Sequence, residues 1–471
     1  MNDYLTLFNV TKESLDRLIS IALSKGGDYA DLFFEYSISN VLALRDNEVN
    51  AIASNIDYGV GIRVLKGDQT GYAYSESTIW DDMEKAALSA ARIADEIAPC
   101  TSFNHKIETV RFTNRYPVIS DWSDYSVDNK KLYLQEINDS VFSLDSRITK
   151  VMARLSDSET KVLFYNSLGD YYCDCRPIAS IVATCILSQN GVTDTASASM
   201  SFRMGSEFLT ESLKKEIIKA LSDNISHIFE ARQPKGGEMA VVMGAGGSGI
   251  LLHEAIGHAF EADFIRKWTS IFSDKLGQQI CSKYINVVDD ATITANRGAL
   301  NVDDEGVVGQ KTYMVKDGVL HSFLHDRISA KYFGVSPTGN GRRESFRFNP
   351  IPRMRATYME NGNCSEDDII KSIKKGIFVD NFTNGQVQIG AGDFTFFVKS
   401  GFLIENGRLT APIKDINIIG NGPEALADIV AVADNCKIDN GTWTCGKDQY
   451  CYVSCGMPSV LVKSLTVGGG N

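Results

Sequence analysis

The chain has 471 residues, of which 44% are hydrophobic and 23% are charged, and its formal net charge is -12. This length exceeds what one hydrophobic core supports and predicts two or three domains. The negative charge opposes a phosphate backbone, so we expect no direct nucleic-acid partner. The sequence shows neither an apolar run that could span a bilayer nor a secretory signal pattern, which predicts no membrane contact and a cytoplasmic location.

The N-terminal half mixes helical and strand-like patterns. Apolar residues recur at helical spacing after Thr11, a candidate N-cap. Short β-rich runs separated by turn residues follow over 31–74, and a second helix is predicted at about 79–97. A further series of helix, short strands and helix follows. We therefore predict two α+β units in which helices pack on strands, 1–110 and 111–234.

Residues 235–471 have a different pattern. The dipeptide Asn-Gly occurs six times between Asn340 and Gly441, and it favours tight hairpins because both residues tolerate positive φ. We predict a large, mainly antiparallel β domain into which one helix is inserted. The predicted fold class is α+β, with layered α/β domains at the N-terminus and this β-rich C-terminal domain.

The stretch 244–263, GAGGSGILLHEAIGHAFEAD, carries the residue types of a zinc hydrolase in His253, Glu254 and His258. In a regular α-helix, a step of five residues would turn the two imidazoles roughly 140° apart. A shared zinc ion therefore requires a distortion such as a π-helical turn, and Gly257 suits it. Glu254 would lie beside the metal and take a proton from water that the metal activates.

Two histidines leave the third metal ligand open between Glu261 and a cysteine. Ser248 is placed to cap the helix.

Two other interpretations exist for the stretch 244–263. It could be an ordinary helix with hydrogen-bonded polar residues, or its glycines could bind a dinucleotide with Asp263 as the acidic residue. The second lacks the alternating strands and helices that such a fold needs.

Other clusters of polar residues are less specific. His321 and His325 lie in strand-like sequence and predict a surface or hydrogen-bonded pair rather than a second metal site. Arg342 and Arg343, in the loop PTGNGRRE, predict a solvated pair, or a site for a peptide carboxylate if the loop faces a cleft.

The ten cysteines are spread irregularly, so we expect reduced thiols. Cys445, Cys451 and Cys455 could suggest a structural zinc site, but no CxxC spacing supports one. No role follows from the sequence for Cys451 or Cys455.

Several segments in order resemble one family: LLHEAIGHAFEADFIRK, VVDDATITANRGALNVDDEG, PTGNGRRES, GQVQIGAGDF, LIENG and LTVGGG. The chain resembles the TldD branch of the TldD/PmbA family, also called modulators of DNA gyrase, whose TldD members are zinc peptidases with an H-E-x-x-x-H motif. This resemblance implies that His253 and His258 bind zinc and that Glu254 is the base. It also implies that the third ligand is Cys445, in the run Cys-Gly-Lys.

The resemblance further implies a PmbA-like (TldE-like) subunit, with which the chain would enclose its site in a cavity, or a homodimer when that subunit is missing. The implied substrates are unfolded or small peptides. The alternative is a non-catalytic regulatory or adaptor subunit, and the intact set of His253, Glu254, His258 and Cys445 argues against it.

Overall fold

The computed structural model describes residues 2–94, 107–388 and 390–468. None of the helices in these ranges is long and apolar enough to cross a membrane. The helices are α1 (Asn2–Leu7), α2 (Lys12–Ala22), α3 (Trp80–Ala91), α4 (Val127–Phe142), α5 (Glu211–Ile225), α6 (Ala262–Arg266), α7 (Arg327–Phe333), α8 (Glu366–Lys371) and α9 (Gly422–Ala427). Thr11 caps α2 as predicted, since its side chain accepts the backbone N–H of Ser14.

The strands divide between the two halves of the chain. Those of the N-terminal half are β1 (Tyr29–Arg45), β2 (Glu48–Lys66), β3 (Gln69–Ser75), β4 (Glu108–Thr109), β5 (Ile148–Asn166), β6 (Asp170–Gln189) and β7 (Val192–Phe202). Those of the C-terminal half are β8 (Gly237–Met243), β9 (Val287–Asp290), β10 (Lys311–Lys316), β11 (Val319–Leu320), β12 (Gly341–Arg342), β13 (Ile351–Pro352), β14 (Ala356–Met359), β15 (Lys375–Val387), β16 (Asp393–Glu405), β17 (Arg408–Ile413), β18 (Ile416–Asn421), β19 (Ile429–Val432), β20 (Lys437–Asp439), β21 (Thr444–Lys447), β22 (Gln449–Tyr452), β23 (Ser454–Met457) and β24 (Val460–Gly468).

One seven-stranded sheet runs through the N-terminal half in the order β3-β2-β1-β5-β6-β4, and β7 pairs with β6. The antiparallel pairing of β1 with β5 joins segments before and after residue 110 in a single sheet. Leu32 and Phe34 pack in a core with residues of α2 and α3. Phe33 points to the other face, where it packs with Val302 and Phe346 of the C-terminal half. The sheet is therefore covered by helices on one face and by the C-terminal half on the other.

The strands of this sheet are longer than the sequence predicted. β1 runs unbroken from Tyr29 to Arg45, although the polar residues Ser37 and Ser39 separate its two apolar runs. These serines alternate with Ile38, because successive side chains of a strand point to opposite faces. Both serines line a cavity. Their polarity therefore reflects this cavity and does not mark the end of a strand.

The C-terminal half contains two large sheets and two two-stranded sheets, β12-β13 and β21-β22. A six-stranded sheet has the order β11-β10-β9-β14-β23-β20. In the second, of order β15-β8-β24-β18-β16-β17, an additional pairing of β15 with β16 closes a ring of strands. The pairs β15–β8 and β14–β23 are parallel, whereas the others in these two sheets are antiparallel. The predicted α+β fold with a mainly antiparallel C-terminal domain is confirmed.

The Asn-Gly dipeptides predicted more hairpins than exist. Asn406 and Gly407 do form the tight turn between β16 and β17, with φ of 51° and 76°. In contrast, Gly385 lies inside strand β15, and Gly422 begins helix α9. The dipeptide permits a tight turn, but strand pairing decides where the chain reverses.

Candidate metal centre

The helical segment after β8 carries both predicted histidines. It begins as a 3-10 turn, Gly247–Gly249, continues as a π-helix, Leu252–Gly257, and ends as a 3-10 turn, His258–Phe260. The backbone N–H of His258 donates to the carbonyl oxygen of His253, which is the five-residue step of a π-helix. The predicted distortion is present, and the two imidazole centroids lie 5.1 Å apart.

Two details of this segment differ from the prediction. Gly257 has ordinary helical angles, φ -60° and ψ -47°, so the π-helix does not require a glycine there. Its missing side chain instead leaves room for Met354, whose Sδ would overlap an added Cβ. The buried hydroxyl of Ser248 has no hydrogen-bond partner among the described residues, and it therefore does not cap the helix.

His253, His258 and Cys445 meet at one buried point. One ligand atom from each residue lies within 4.8 Å of the other two. The distance from Cys445 Sγ to His258 Nε2 is 3.3 Å, and the residues are only 2%, 5% and 4% exposed. Within the described ranges, no other group of three or more His, Cys, Asp or Glu side chains could hold a metal ion in this way.

These three residues fit a zinc ion. Zinc bonds of about 2.0–2.1 Å to nitrogen and about 2.3 Å to sulfur place tetrahedral N and S ligands roughly 3.5 Å apart. The 3.3 Å between Cys445 Sγ and His258 Nε2 is close to that value. Both ring nitrogens of His253 are buried without a hydrogen-bond partner in the described chain. Zinc binds imidazole nitrogens and thiolate sulfur, and three protein ligands leave a fourth tetrahedral position open.

The electrostatics favour a thiolate at Cys445. Burial alone would raise the pKa of this thiol, but the imidazoles of His253 and His258 outweigh burial and lower the pKa to about 4. Cys451 is the cross-strand partner of Cys445 in the hairpin of β21 and β22. Burial raises the pKa of the Cys451 thiol, so it stays protonated near neutral pH, and it is not one of the three clustered residues.

Glu261 lies behind His258 and is not one of the three clustered residues. Its Oε2 accepts from His258 Nδ1 at 2.9 Å and from Lys447 Nζ at 3.0 Å. Burial opposes its ionisation, but Lys447 and His258 lower the pKa of Glu261 to about 2. The carboxylate holds the proton of His258 on Nδ1 and leaves Nε2 directed at the cluster, as in many metal-binding histidines.

Glu254 follows His253 directly and lies next to the cluster. Its Oε2 is 4.0 Å from His258 Nε2, and its side chain is 22% exposed. It is therefore a carboxylate beside the three clustered residues that solvent and a substrate can reach.

Sequence reasoning missed Arg353, which holds the hairpin that carries Cys445. Its fully buried guanidinium donates to the carbonyl oxygens of Cys445 at 2.6 Å and Gln449 at 2.7 Å. The sequence does contain a hint of this role, because Arg353 lies in the strand-like run IPRMRAT. A charged side chain that is buried in such a strand must hydrogen-bond to other groups of the protein.

The two predicted loop arginines are buried, so the prediction of a solvated pair is wrong. Arg342 donates to the carbonyl oxygens of Met354 and Tyr452. Arg343 pairs with Asp31 at 3.4 Å. Their loop lies between the N-terminal sheet and the hairpin of β21 and β22, and both arginines line a cavity of about 450 Å³ there.

His321 and His325 do not join the cluster. His321 is exposed, whereas His325 is buried against Phe323 and Phe333, with its Nδ1 3.3 Å from Ser329 Oγ. Burial lowers the pKa of His325 to about 4. His321 is therefore a surface residue and His325 a buried one beside a hydroxyl, and neither belongs to a group of metal-binding side chains in the described ranges. The nine cysteines in the described ranges are all free thiols, as expected.

Comparison with known proteins places this fold among the metallopeptidases. Models described as PmbA/TldA metallopeptidase domain 1, central domain and C-terminal domain match residues 30–94, 120–227 and 236–469. The chain belongs to the PmbA/TldD metallopeptidase family, and the similarity to its TldD branch predicted from the sequence is confirmed.

Similar proteins carry related names. The Metalloprotease TldD homolog of Haemophilus influenzae is 36% identical over 485 residues, which cover 100% of this chain and 99% of that protein. The Zinc metalloprotease TldD homolog of Saccharolobus solfataricus is 26% identical, with 96% and 99% covered. Among solved structures, TldE from Thermococcus kodakarensis shares the fold, with a TM-score of 0.75 at 19% identity over 97% of this chain and 100% of that one.

Proposed function

We propose that this chain is a zinc-dependent peptidase that hydrolyses unfolded or small peptides. In this proposal His253, His258 and Cys445 bind the zinc ion, and Glu254 is the general base. The main support is that the imidazoles of His253 and His258 lie next to the thiol of Cys445, although His258 and Cys445 are 187 positions apart in the chain. The partly exposed carboxylate of Glu254 lies beside them. The name of the Saccharolobus relative supports zinc as the metal.

The surrounding residues have defined tasks in this mechanism. When bound, Zn²⁺ would supply a Lewis acid that polarises the scissile carbonyl and acidifies water. Glu254 would accept a proton from the attacking water and pass it to the leaving amine. Glu261 and Lys447 keep the proton of His258 on Nδ1, and Arg353 fixes the backbone at Cys445.

We also propose that the chain works in the cytoplasm with a PmbA-like (TldE-like) subunit, or as a homodimer in its absence, and that the partner encloses the site. The fold shared with TldE supports this pairing. An enclosed site would admit extended peptides and exclude folded proteins. Pairing of the peptide backbone with a sheet edge would add affinity without selecting particular side chains.

Arg342 and Arg343 are proposed to contact the peptide, because both line the cavity next to the hairpin that carries Cys445. Their situations differ. Arg343 already pairs with Asp31, whereas Arg342 bonds only to carbonyl oxygens among the described residues.

The test measures metal content and cleavage of an unstructured peptide, with and without a TldE-like subunit. We expect cleavage to stop on chelation and to return with zinc. Glu254→Gln should keep one zinc per chain and lose about 10²–10⁴-fold in rate. Glu360→Gln is a matched control, since Glu360 has a similar exposure but pairs with Lys311 outside the cluster. Zinc-loaded protein that cleaves no peptide in either form would favour a non-catalytic adaptor role.

A further inference from the structure

Two cysteines face each other in the hairpin of β21 and β22. Cys445 of β21 lies directly opposite Cys451 of β22 in this antiparallel pair. Residues in such positions point to the same face of the hairpin. No other cysteine of the described strands faces a second cysteine across a ladder. The hairpin therefore brings together two thiols, of which Cys445 belongs to the candidate metal cluster and Cys451 does not.

The spacing of an antiparallel pair suits a disulfide bond. Directly opposite Cα atoms are about 4.5–5.5 Å apart, and disulfides join Cα atoms that are about 4.4–6.8 Å apart. The Cβ atoms of opposite residues are about 4.5–5.5 Å apart, whereas a disulfide holds them at about 3.5–4.5 Å. A bond between Cys445 and Cys451 therefore requires their Cβ atoms to approach by roughly 1 Å, and neither strand has to change its partner.

Two buried arginines hold the backbone of both strands in place. Arg353 donates to the carbonyl oxygens of Cys445 at 2.6 Å and Gln449 at 2.7 Å. Arg342 donates to the carbonyl oxygen of Tyr452 at 2.8 Å. Because these hydrogen bonds end on backbone atoms, a rearrangement of the cysteine side chains does not break them. The hairpin therefore keeps the two cysteines opposite each other whether or not their sulfurs are joined.

A small oxidant can reach this pair. Cys445 and Cys451 are only 4% and 5% exposed. However, Cys451 lines the cavity of about 450 Å³ between the N-terminal sheet and the hairpin. Hydrogen peroxide and small thiols fit into a cavity of this size, whereas a second folded protein cannot reach sulfurs that are buried this deeply.

We propose that Cys445 and Cys451 are a site of reversible oxidation, at which hydrogen peroxide joins them in a disulfide and thereby removes Cys445 from the zinc ligands. One sulfur attacks a peroxide oxygen, so that an S–O bond forms, the O–O bond breaks and one water leaves. The second sulfur then attacks the first, so that the S–S bond forms, the S–O bond breaks and a second water leaves. The two cysteines are oxidised, the peroxide is reduced, and both thiol protons end in the two waters.

The disulfide would disable the metal centre. A metal ion binds the thiolate form of cysteine, and a sulfur in a disulfide is no longer a thiolate. Oxidation would therefore leave only the imidazoles of His253 and His258 in the cluster. A small thiol would reduce the disulfide and restore Cys445 as a ligand. The effect on zinc rests on the proposed function, whereas formation of the disulfide does not.

Oxidation of full-length, zinc-loaded protein with hydrogen peroxide tests the proposal. A chromophoric chelator follows zinc release, and mass spectrometry of a tryptic digest identifies the disulfide. Lys447 lies between the two cysteines, so trypsin separates them unless a disulfide joins them. The mapping uses Cys455→Ser protein, because Cys455 would otherwise share a tryptic peptide with Cys451. We expect the joined peptides, loss of about one zinc ion per disulfide, and recovery of zinc binding after addition of dithiothreitol.

The control is Cys451→Ser, which should bind zinc as wild type does before oxidation. Reversible zinc loss should disappear in this variant. Peroxide would then leave zinc in place or oxidise Cys445 to a sulfinic acid, which dithiothreitol does not reduce. Zinc loss that remains fully reversible in Cys451→Ser would overturn the proposal. The mapping in Cys455→Ser protein leaves Cys451 unchanged, so it decides the question even if Cys451→Ser does not fold.

The measurements also separate the two proposals. Oxidised protein in which Cys445 and Cys451 are not joined would overturn the oxidation site and leave the proposed function standing, because cleavage and chelation are measured without peroxide. A disulfide in protein that keeps its zinc would show that Cys445 is not a ligand, and would overturn both the effect on zinc and the proposed metal centre. A disulfide in protein that never binds zinc would overturn the proposed function alone.

Discussion

Two buried arginines, Arg63 and Arg203, differ in how their charge is balanced. Where the N-terminal sheet meets the C-terminal half, Arg63 pairs with Asp31 at 2.5 Å and with Glu305 at 2.6 Å, and all three side chains are fully buried. At the adjoining cavity, the Nε of Arg203 is buried without a hydrogen-bond partner among the described residues, and its guanidinium lies over the ring of Tyr116. The ion pairs of Arg63 join the two halves of the chain, whereas the side chain of Arg203 forms no ion pair with the described residues.

The histidines show the same contrast. His325 is buried against aromatic rings beside one hydroxyl, and the chain keeps it neutral. His258 is held by Glu261 and faces Cys445, while His253 has no hydrogen-bond partner among the described residues. The two buried, unpartnered ring nitrogens of His253 therefore distinguish the cluster from the surroundings of His325.

The largest effect is expected at the paired arginine. Arg63→Met leaves Glu305 buried without the cation that pairs with it, and leaves Asp31 with only the more distant Arg343 at 3.4 Å, so the free energy of unfolding should fall by about 3–5 kcal/mol. Urea denaturation measures it. Lys85→Met, at a residue whose side chain is 76% exposed, should change it by less than about 0.5 kcal/mol. If both variants lost a similar free energy of unfolding, the buried ion pairs of Arg63 would contribute no more than the surface ion pair of Lys85.

The next effect is a pH dependence at His325. Burial lowers the pKa of this imidazole from about 6.5 to about 4, so the unfolded chain binds a proton in that range that the folded chain does not. Stability should therefore decrease as the pH falls from about 6.5 to about 4, by at most about 3 kcal/mol from this group. His325→Gln should flatten the profile, and His227→Gln, at an exposed histidine, should not. An unchanged slope in His325→Gln would contradict this account.

A smaller effect, on zinc affinity, is expected at Glu261, which hydrogen-bonds to His258. Glu261→Gln keeps an acceptor for His258 Nδ1 but removes the charge, so zinc affinity should weaken roughly tenfold. Competition with a chelator measures the affinity, and Glu360→Gln, which removes a carboxylate that pairs with Lys311 outside the cluster, is the control. Unchanged affinity would show that the carboxylate does not tune His258.

The smallest effect on stability is expected at the unpaired arginine. Because the side chain of Arg203 makes no hydrogen bond or ion pair with the described residues, Arg203→Gln should change the free energy of unfolding by less than about 1 kcal/mol. The same urea titration applies. A loss as large as that of Arg63→Met would mean that Arg203 is structural, and the contrast between the two arginines would disappear.

Local patterns predicted much of the fold. The helix after Thr11 and the antiparallel C-terminal half were predicted from the sequence and are present. The π-helix was predicted because two ligands five residues apart cannot otherwise share a metal ion. The strand lengths were not, since Ser37 and Ser39 interrupt an apolar pattern for a reason that only the cavity explains.

The candidate site was less accessible to local reasoning. Cys445 followed from the family resemblance, because no spacing rule joins residues that are 187 positions apart. Arg353 and Arg203 were missed, because whether a buried charge has a partner depends on tertiary contacts. Tertiary contacts also decide whether Arg342 is buried, so the sequence could not exclude that it lies in solvent.

The most direct test of the central claim is X-ray absorption at the zinc edge of the loaded protein. We predict two nitrogen ligands at about 2.0–2.1 Å and one sulfur at about 2.3 Å. In Cys445→Ser the sulfur contribution should disappear, and in Cys451→Ser it should remain. Sulfur that persists in Cys445→Ser, or a shell of oxygen ligands in the wild type, would contradict a centre formed by His253, His258 and Cys445.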